Sequence, residues 1–221
     1  MTINQIIFDL DGTLIDSSKS ILSAFRGAFY STGTKLVHPL TANIIGPPLR
    51  ETLHRLSGLD DATELDKLTI AFKEQYDTEG YRRTIVFSGI SNMLSELYKM
   101  QMPLYIATNK RLKPTLLILE HLKWSHYFKD IYALDSLTPP LKDKTTLLEY
   151  ILKHHLFDPH MTYYIGDRFE DYEAARKNNL LFAFASWGYG ENIQKDVAIK
   201  TFNTPTNLLT NFLEFKNTLN D

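Results

Sequence analysis

The chain has 221 residues, 43% of them hydrophobic, and a formal net charge of −2. This balance provides no global basic field for a nucleic acid polymer or an anionic membrane, and the absence of cysteine excludes disulfides, thiolate metal sites and a cysteine nucleophile. Residues 1–4 carry no basic region, and no apolar run approaches the roughly 20 residues that span a bilayer. We therefore expect a cytoplasmic globular protein, either one large domain or a core with a small accessory domain.

The first predicted element is a buried strand that ends in two carboxylates. Residues 5–8 contain no charge and are followed by Asp9, Asp11 and the turn residue Gly12. Such a run suits a central strand of a parallel sheet, where ligands bind outside the carboxyl ends of the strands. If the extended backbone continues to residue 11, the two carboxylates share a face and need either a cation or a retained proton. The stretch could supply a nucleophile, an acid/base and a metal site, whereas a solvated turn is the plain alternative.

Residues 17–82 are predicted to be helix and loop. Ser17 or Ser18 can cap a first helix that ends near Gly33, and helical periodicity returns over residues 49–56 and 64–76. The stretch holds no convincing strand and is too long for an ordinary crossover. We predict a small inserted helical domain over residues 17–82, with residues 1–16 and 83–221 forming the core. The alternative is that these helices pack on the sheet as crossovers.

Strands and helices alternate from residue 89 onward. Strands are predicted at residues 104–107, 131–133, 162–165, 181–185 and 198–202, and helices at residues 89–98, 114–122, 145–155, 172–178 and from residue 204. This alternation indicates right-handed βαβ units and a parallel sheet. The predicted fold class is α/β, a Rossmann-like parallel sheet with an inserted helical domain.

Polar residues at the ends of the later strands should face the same crevice as Asp9. Thr108 and Asn109 end the second core strand, where a hydroxyl and backbone N–H groups could hold phosphate oxygens, although both residue types are also common in turns. Asp167 and Asp171 follow another strand and stand four residues apart at a helix start, so they can share a face. The alternative for this pair is that it only complements the helix dipole.

Four stretches resemble the motifs of the haloacid dehalogenase (HAD) superfamily in that family's order. Residues 9–17 (Asp-Leu-Asp-Gly-Thr-Leu-Ile-Asp-Ser) resemble the first motif of its phosphatase branch, and residues 107–110, 142–145 and 164–171 resemble the later three. The resemblance implies the HAD fold with a helical cap and a Mg²⁺-dependent phosphatase of the phosphoglycolate-phosphatase-like group. The expected partner is a small phosphorylated metabolite such as phosphoglycolate, a nucleotide or a sugar phosphate.

The resemblance also implies roles for individual residues. Asp9 would attack phosphorus and form an aspartyl phosphate, and Asp11 would act as general acid/base. Thr108 would bind phosphate, and a lysine would offset charge on the phosphoryl group. Lys144 fits the family pattern better than Lys142, because that lysine usually stands at the start of the following helix; Lys142 remains an alternative.

The implied Mg²⁺ site draws on the carboxylates of both acidic stretches. Oxygen ligands suit this ion, and Asp171 would support it directly or through another ligand. Asn109 is added to the predicted phosphate-binding residues. The predicted metal residues are Asp9, Asp11, Asp167 and Asp171.

Arg50 is a further predicted substrate residue. It follows the rigid turn at residues 46–48 and stands near a helix start, which is unfavourable for the helix dipole. We predict that it reaches the crevice and pairs with an anionic group of the substrate. The alternative is a surface ion pair or a solvated side chain.

Two other functions remain open at this point. A phosphomutase of the β-phosphoglucomutase type would use the same core and pass the phosphate to a second hydroxyl. A catalytically silent binding or regulatory protein could keep the fold, although the intact Asp9 and Asp11 argue against it. The sequence leaves the substrate and the oligomeric state undetermined.

Overall fold

In the part of the chain that the structure describes, eight strands form a six-stranded sheet and a short two-stranded ribbon. The computed structural model describes residues 3–190 and 199–217, and all pairings in the larger sheet are parallel, in the order β5-β4-β1-β6-β7-β8. The strands are β1 (Gln5–Phe8), β2 (Ile15–Asp16), β3 (Ile85–Val86), β4 (Leu104–Thr108), β5 (Asp130–Ala133), β6 (Thr162–Gly166), β7 (Leu181–Ala185) and β8 (Lys200–Phe202). The predicted start of the last strand, at residue 198, lies outside the described residues.

Helices follow the strands in the predicted alternation, which confirms the α/β fold class. They are α1 (Ser18–Thr32), α2 (Leu49–Ser57), α3 (Ala62–Thr78), α4 (Ile90–Lys99), α5 (Leu112–His121), α6 (Lys144–His155), α7 (Phe169–Lys177) and α8 (Pro205–Asn217). In the described part of the chain, no helix combines the length and the apolar character that a membrane crossing requires.

The central strand β1 is buried on both of its faces. Ile6 and Phe8 pack in one hydrophobic cluster and Ile7 packs in a second one, as the alternation of side chains along a strand requires. All three side chains are fully buried, and each stabilises the fold by about 1.5–3 kcal/mol relative to an exposed position. This packing fixes the carboxyl end of β1, where Asp9 follows.

The two strands of the ribbon flank residues 17–82 in the sequence, β2 before them and β3 after them. Ile15 pairs with Val86 and Asp16 pairs with Ile85, in antiparallel register. The sequence does not predict this ribbon, because two-residue strands are too short to show a hydrophobic period. Residues 17–82 contain α1, α2 and α3 and contribute no strand to either sheet. The division into core and cap remains a prediction, and this segment is called the predicted cap below.

The start of α1 differs from the expectation. The Asp16 carboxylate, rather than a serine side chain, accepts hydrogen bonds from the backbone N–H and the hydroxyl of Ser18, at 2.9 and 2.6 Å. Ser17 makes no capping bond with its side chain and instead donates its hydroxyl to Asp11. The predicted end of the helix is correct, since Gly33 follows Thr32 with a φ of +67°.

Candidate active site

Three buried carboxylates meet at the carboxyl ends of β1 and β6. Asp9 follows β1, Asp167 follows β6, and Asp171 lies in the first turn of α7. The parallel register of the two strands brings them together, and the Asp9 N–H donates to the Ile165 carbonyl at 2.8 Å. One oxygen from each carboxylate lies within 4.8 Å of the others. The structure therefore brings together three of the four predicted metal residues.

Lys144 supplies the positive charge beside this cluster. It is the first residue of α6, and its Nζ donates to Asp9 at 2.6 Å and to Asp171 at 3.1 Å. Two further acceptors are the Tyr164 hydroxyl at 2.9 Å and the Ala107 carbonyl at 3.3 Å. Lys142 lines the crevice nearby, whereas the ammonium group of Lys144 bonds to Asp9 directly. The geometry therefore favours Lys144 as the lysine that contacts Asp9.

Tyr164 is a further residue of the site, and the sequence does not predict its role. Its hydroxyl donates to Asp171 at 2.9 Å, and the side chain is fully buried within β6. In the sequence it is an aromatic residue within a predicted strand, so no local signal distinguishes it from an ordinary residue of the hydrophobic core.

Burial and mutual repulsion shift the ionisation of the cluster. Burial raises the pKa of Asp9 to about 7 against the lowering effect of Lys144, with a further rise caused by Asp171. Burial raises the pKa of Asp167 to about 8, and the carboxylates of Asp171 and Asp9 add to this rise. Burial alone would lower the pKa of Lys144, but Asp171 and Asp9 outweigh it and hold that pKa above its ordinary value. Three carboxylates facing one ammonium group favour the binding of a further cation.

These pKa values predict a pH-dependent stability in metal-free buffer. Between the pKa of an unfolded aspartate, about 4, and the raised value of Asp167, the folded chain retains a proton that the unfolded chain has released. The free energy of unfolding therefore falls as the pH rises through this window. With EDTA present, we expect wild-type stability, measured by urea unfolding relative to Asp167→Asn, to decrease from about pH 5 to about pH 8 and then level off. A difference that is constant over this range would contradict the raised pKa.

Glycines surround Asp167 closely. A Cβ atom added at Gly12 or Gly188 would collide with its side chain, and one added at Gly190 would collide with its backbone carbonyl. Because these positions have no side chains, the Tyr189 N–H can approach the Asp167 carboxylate and donate to it at 2.7 Å. The Thr13 hydroxyl donates to the other carboxylate oxygen at 3.4 Å. Residues without side chains at these positions therefore hold one carboxylate in a fixed orientation.

Gly12→Ala should destabilise the chain more than Gly33→Ala. Both glycines have positive φ, at +90° and +67°, so each alanine costs about 1–2 kcal/mol in backbone strain. Nothing lies within 4 Å of a Cβ at Gly33, whereas at Gly12 it meets the Asp167 carboxylate and adds a further cost of about 1–3 kcal/mol. Urea unfolding of the two variants measures the difference. Equal free energies of unfolding would mean that Asp167 moves aside without cost.

The Asp11 side chain stands apart from the three-carboxylate cluster. It accepts from Lys110 Nζ at 3.1 and 3.2 Å and from the Ser17 hydroxyl. β1 ends at Phe8, so the extended backbone assumed for a shared face does not reach Asp11, which instead forms an isolated bridge with Ile15. The role of Asp11 as a metal ligand stays a prediction.

Thr108 and Asn109 lie at the end of β4, as predicted. Thr108 is buried, and its hydroxyl accepts from the Lys110 N–H at 3.1 Å, which leaves its own proton available to a ligand. Asn109 donates its side-chain amide to the Gly46 carbonyl of the predicted cap at 2.9 Å. Their binding of phosphate stays a prediction.

Arg50 does not reach the crevice, which corrects its predicted position. Its guanidinium forms an ion pair with Asp66 of α3, and both side chains are at least half exposed. The pairing explains why an arginine is tolerated at the start of α2. The core residue Arg168 contacts the predicted cap instead, donating to the Ala42 carbonyl at 3.3 Å.

A crevice of about 420 Å³ opens beside the cluster. Asp9, Asp171 and Lys144 line its inner end, and Asn109 and residues 46–48 form the side toward the predicted cap. This volume lies in the range of small-molecule sites. The crevice gives a ligand access to the nucleophile candidate Asp9.

Comparison with known proteins gives consistent matches. The family model for haloacid dehalogenase-like hydrolases matches residues 6–185. Tyrosine-protein kinase PtkA of Mycobacterium tuberculosis is 32% identical over 84% of this chain, which spans only 62% of that relative's length. A 5'-nucleotidase of Pseudomonas aeruginosa is 29% identical over 84% of both chains. The crystal structure of a predicted phosphatase from Clostridium acetobutylicum has a TM-score of 0.85 and 28% identity, covering 97% of this chain and 100% of the other.

Proposed function

Because the chain belongs to the haloacid dehalogenase-like hydrolase family, we propose that it is a Mg²⁺-dependent phosphatase that hydrolyses a small phosphorylated metabolite. The observation that carries this proposal is the position of Asp9, buried at the end of β1, bonded to Lys144 and adjacent to Asp167 and Asp171. A carboxylate nucleophile, a compensating ammonium group and a cation site are the groups that phosphoryl transfer through an aspartyl phosphate uses.

The residues present fit a hard divalent cation. Asp9, Asp167 and Asp171 offer carboxylate oxygens close together, and their negative charge exceeds what Lys144 alone can neutralise. Oxygen donors of this kind favour Mg²⁺ over softer metals. When bound, the ion would neutralise charge on the phosphoryl oxygens and keep the carboxylates ionised.

The first half of the reaction transfers the phosphoryl group to the protein. A carboxylate oxygen of Asp9 attacks phosphorus, the bond to the leaving oxygen breaks, and an aspartyl phosphate forms. Lys144 favours the ionised, nucleophilic form of Asp9, and with Thr108 it would hold the phosphoryl oxygens. Asp11, protonated at this stage, would leave its contacts with Lys110 and Ser17 and give that proton to the departing oxygen, which leaves as the alcohol.

The second half regenerates Asp9. The Asp11 carboxylate takes a proton from a water molecule, the oxygen of that water attacks phosphorus, and the bond to Asp9 breaks with release of phosphate. The same side chain thus acts as acid and then as base. Each cycle consumes one ester and one water and yields one alcohol and one phosphate.

The predicted cap, residues 17–82, would shield this reaction from bulk water. Two hydrogen bonds join it to the core beside the crevice, from Asn109 to Gly46 and from Arg168 to Ala42. Both acceptors are backbone carbonyls, one at the start of the short 3₁₀ helix Ala42–Ile44 and one in the loop after it, so the contact depends on the backbone conformation more than on the identity of the side chains. A cap in this position excludes water from the aspartyl phosphate while the alcohol leaves.

A phosphate-release assay tests the proposal. With Mg²⁺ and p-nitrophenyl phosphate, we expect one inorganic phosphate for each nitrophenol formed. Phosphate transfer to an added sugar phosphate without release would instead indicate the mutase. Incorporation of phosphate from ATP into protein tyrosine, the activity named for the mycobacterial relative, would indicate a kinase. The absence of any turnover would favour a silent binding protein.

A further inference from the structure

The Tyr164 hydroxyl shares its hydrogen-bond partners with the ammonium group of Lys144. The hydroxyl accepts from Lys144 Nζ at 2.9 Å, and it lies 2.9 Å from one Asp171 carboxylate oxygen and 3.4 Å from the Ala107 carbonyl. Lys144 Nζ lies 3.1 Å from the same Asp171 oxygen and 3.3 Å from the same carbonyl. Two donors therefore face the same two acceptors, and either donor can serve either acceptor.

Lys144 has more acceptors than it has hydrogens. An ammonium group carries three N–H donors. Its four acceptors within 3.3 Å are Asp9, Asp171, the Tyr164 hydroxyl and the Ala107 carbonyl. The bond to Asp9, at 2.6 Å, is the shortest of them. In the proposed reaction the phosphoryl oxygens become a further acceptor, so Lys144 has to withdraw from some of these groups.

Asp171 is the partner from which Lys144 cannot withdraw freely. Its carboxylate is buried, and a buried carboxylate oxygen that loses its donor is costly. One of its oxygens accepts from the Arg168 N–H at 3.1 Å. Among the residues that the structure describes, the other oxygen accepts only from Lys144 and Tyr164. The Tyr164 hydroxyl is therefore the donor that this oxygen retains when Lys144 turns toward a phosphoryl group.

The core fixes the position of the Tyr164 hydroxyl. The side chain is fully buried, and the centre of its ring lies 6.2 Å from that of Phe182 and 5.6 Å from Lys144 Nζ. In the described part of the chain, its proton has Asp171 and Ala107 as acceptors. The carboxylate is the nearer and the stronger acceptor, so it takes this proton.

We propose that Tyr164 is a positioning residue for phosphoryl transfer. Its hydroxyl satisfies Asp171 and thereby frees the ammonium group of Lys144 for the phosphoryl oxygens. Tyr164 acts through Lys144 and does not contact the substrate itself. This inference rests on the proposed phosphatase function and adds a residue to its machinery.

Tyr164→Phe tests the proposal, because it removes the hydroxyl and keeps the ring. Lys144 should then stay with Asp171 and stabilise the transition state less than in the wild type. With the full chain, saturating Mg²⁺ and p-nitrophenyl phosphate, we expect kcat to fall by about fivefold or more and KM to stay within about twofold. The inhibition constant of orthovanadate, which mimics five-coordinate phosphorus, should rise by about the same factor as kcat falls.

Tyr163→Phe is the matched control. Tyr163 is the preceding residue of β6, so its side chain points to the opposite face of the sheet, where its ring packs edge-on against Phe212. The same loss of a hydroxyl at this position should leave kcat and the orthovanadate constant within about twofold of the wild type. Circular dichroism of both variants verifies that they are folded.

Three results would overturn the role of Tyr164. One is a fall in kcat of less than about fivefold or a loss carried by KM alone, and another is an equal loss in the two tyrosine variants. The third is a raised Mg²⁺ requirement with unchanged kcat at saturating Mg²⁺, because Tyr164 would then serve a cation through Asp171 instead of the phosphoryl group through Lys144. A wild-type chain that releases no phosphate would contradict the phosphatase function and, with it, this role.

Discussion

We expect Asp9→Asn to lower phosphate release by more than about a thousandfold and to leave the chain folded. The amide keeps the shape of the carboxylate but is not a competent nucleophile, and it removes one anionic oxygen from the proposed cation site. Lys144 keeps its partners Asp171 and Tyr164, so the buried ammonium group is not left without acceptors. Steady-state phosphate release and circular dichroism of the same preparation measure the two effects.

The matched control is Asp130→Asn. Asp130 is the first residue of β5, so it lies at the amino ends of the strands, away from the carboxyl ends that carry the site. Its carboxylate is half exposed beside His155. The same chemical change at this position should leave kcat/KM within about twofold, because the residue does not contact the crevice. Retention of a tenth of wild-type activity by Asp9→Asn would exclude Asp9 as the nucleophile.

The sequence predicts the sheet well because the core is organised by local patterns. Short apolar runs separated by helical periods follow from burial on both faces of the sheet, and the inner strands β1, β4 and β6 show this pattern. The polar residues after β1, β4 and β6 then lie at one edge through topology alone. Asp9 and Asp167 are therefore accessible to prediction from their positions after a strand, whereas the preference for Lys144 over Lys142 rests on the family resemblance.

The contacts that refine the site are not local and carry no comparable signal. Lys110 and Asp11 are separated by 99 residues, and Tyr189 reaches Asp16 across 173 residues. Both pairs lie within the predicted core, and they form only when the complete fold brings together side chains that are far apart in the sequence. Arg50 illustrates the opposite error, because its unusual place in α2 suggested a ligand whereas a surface partner, Asp66, accounts for it.

Removal of Mg²⁺ should abolish activity, and Asp167→Asn should raise the Mg²⁺ concentration for half-maximal activity by about tenfold or more. Asp167 is fully buried between Gly12 and the backbone of residues 188–190, so no nearby carboxylate can take its place without rearrangement. In the metal-free chain its raised pKa records the cost of burying this charge. Binding of Mg²⁺ relieves that cost and should also raise the thermal midpoint of the wild type.

Glu170→Gln is the control for coordination as opposed to general electrostatics. Glu170 lines the crevice next to Asp171 but lies outside the three-carboxylate cluster, so its loss removes local negative charge without removing a proposed ligand. We expect its Mg²⁺ requirement to stay within about threefold of the wild type, since exposed charges are screened by solvent. Calcium should bind and inhibit, because its looser geometry does not impose in-line attack. Full activity in excess EDTA, or equal Mg²⁺ requirements for Asp167→Asn and Glu170→Gln, would exclude Asp167 as a ligand of the catalytic ion.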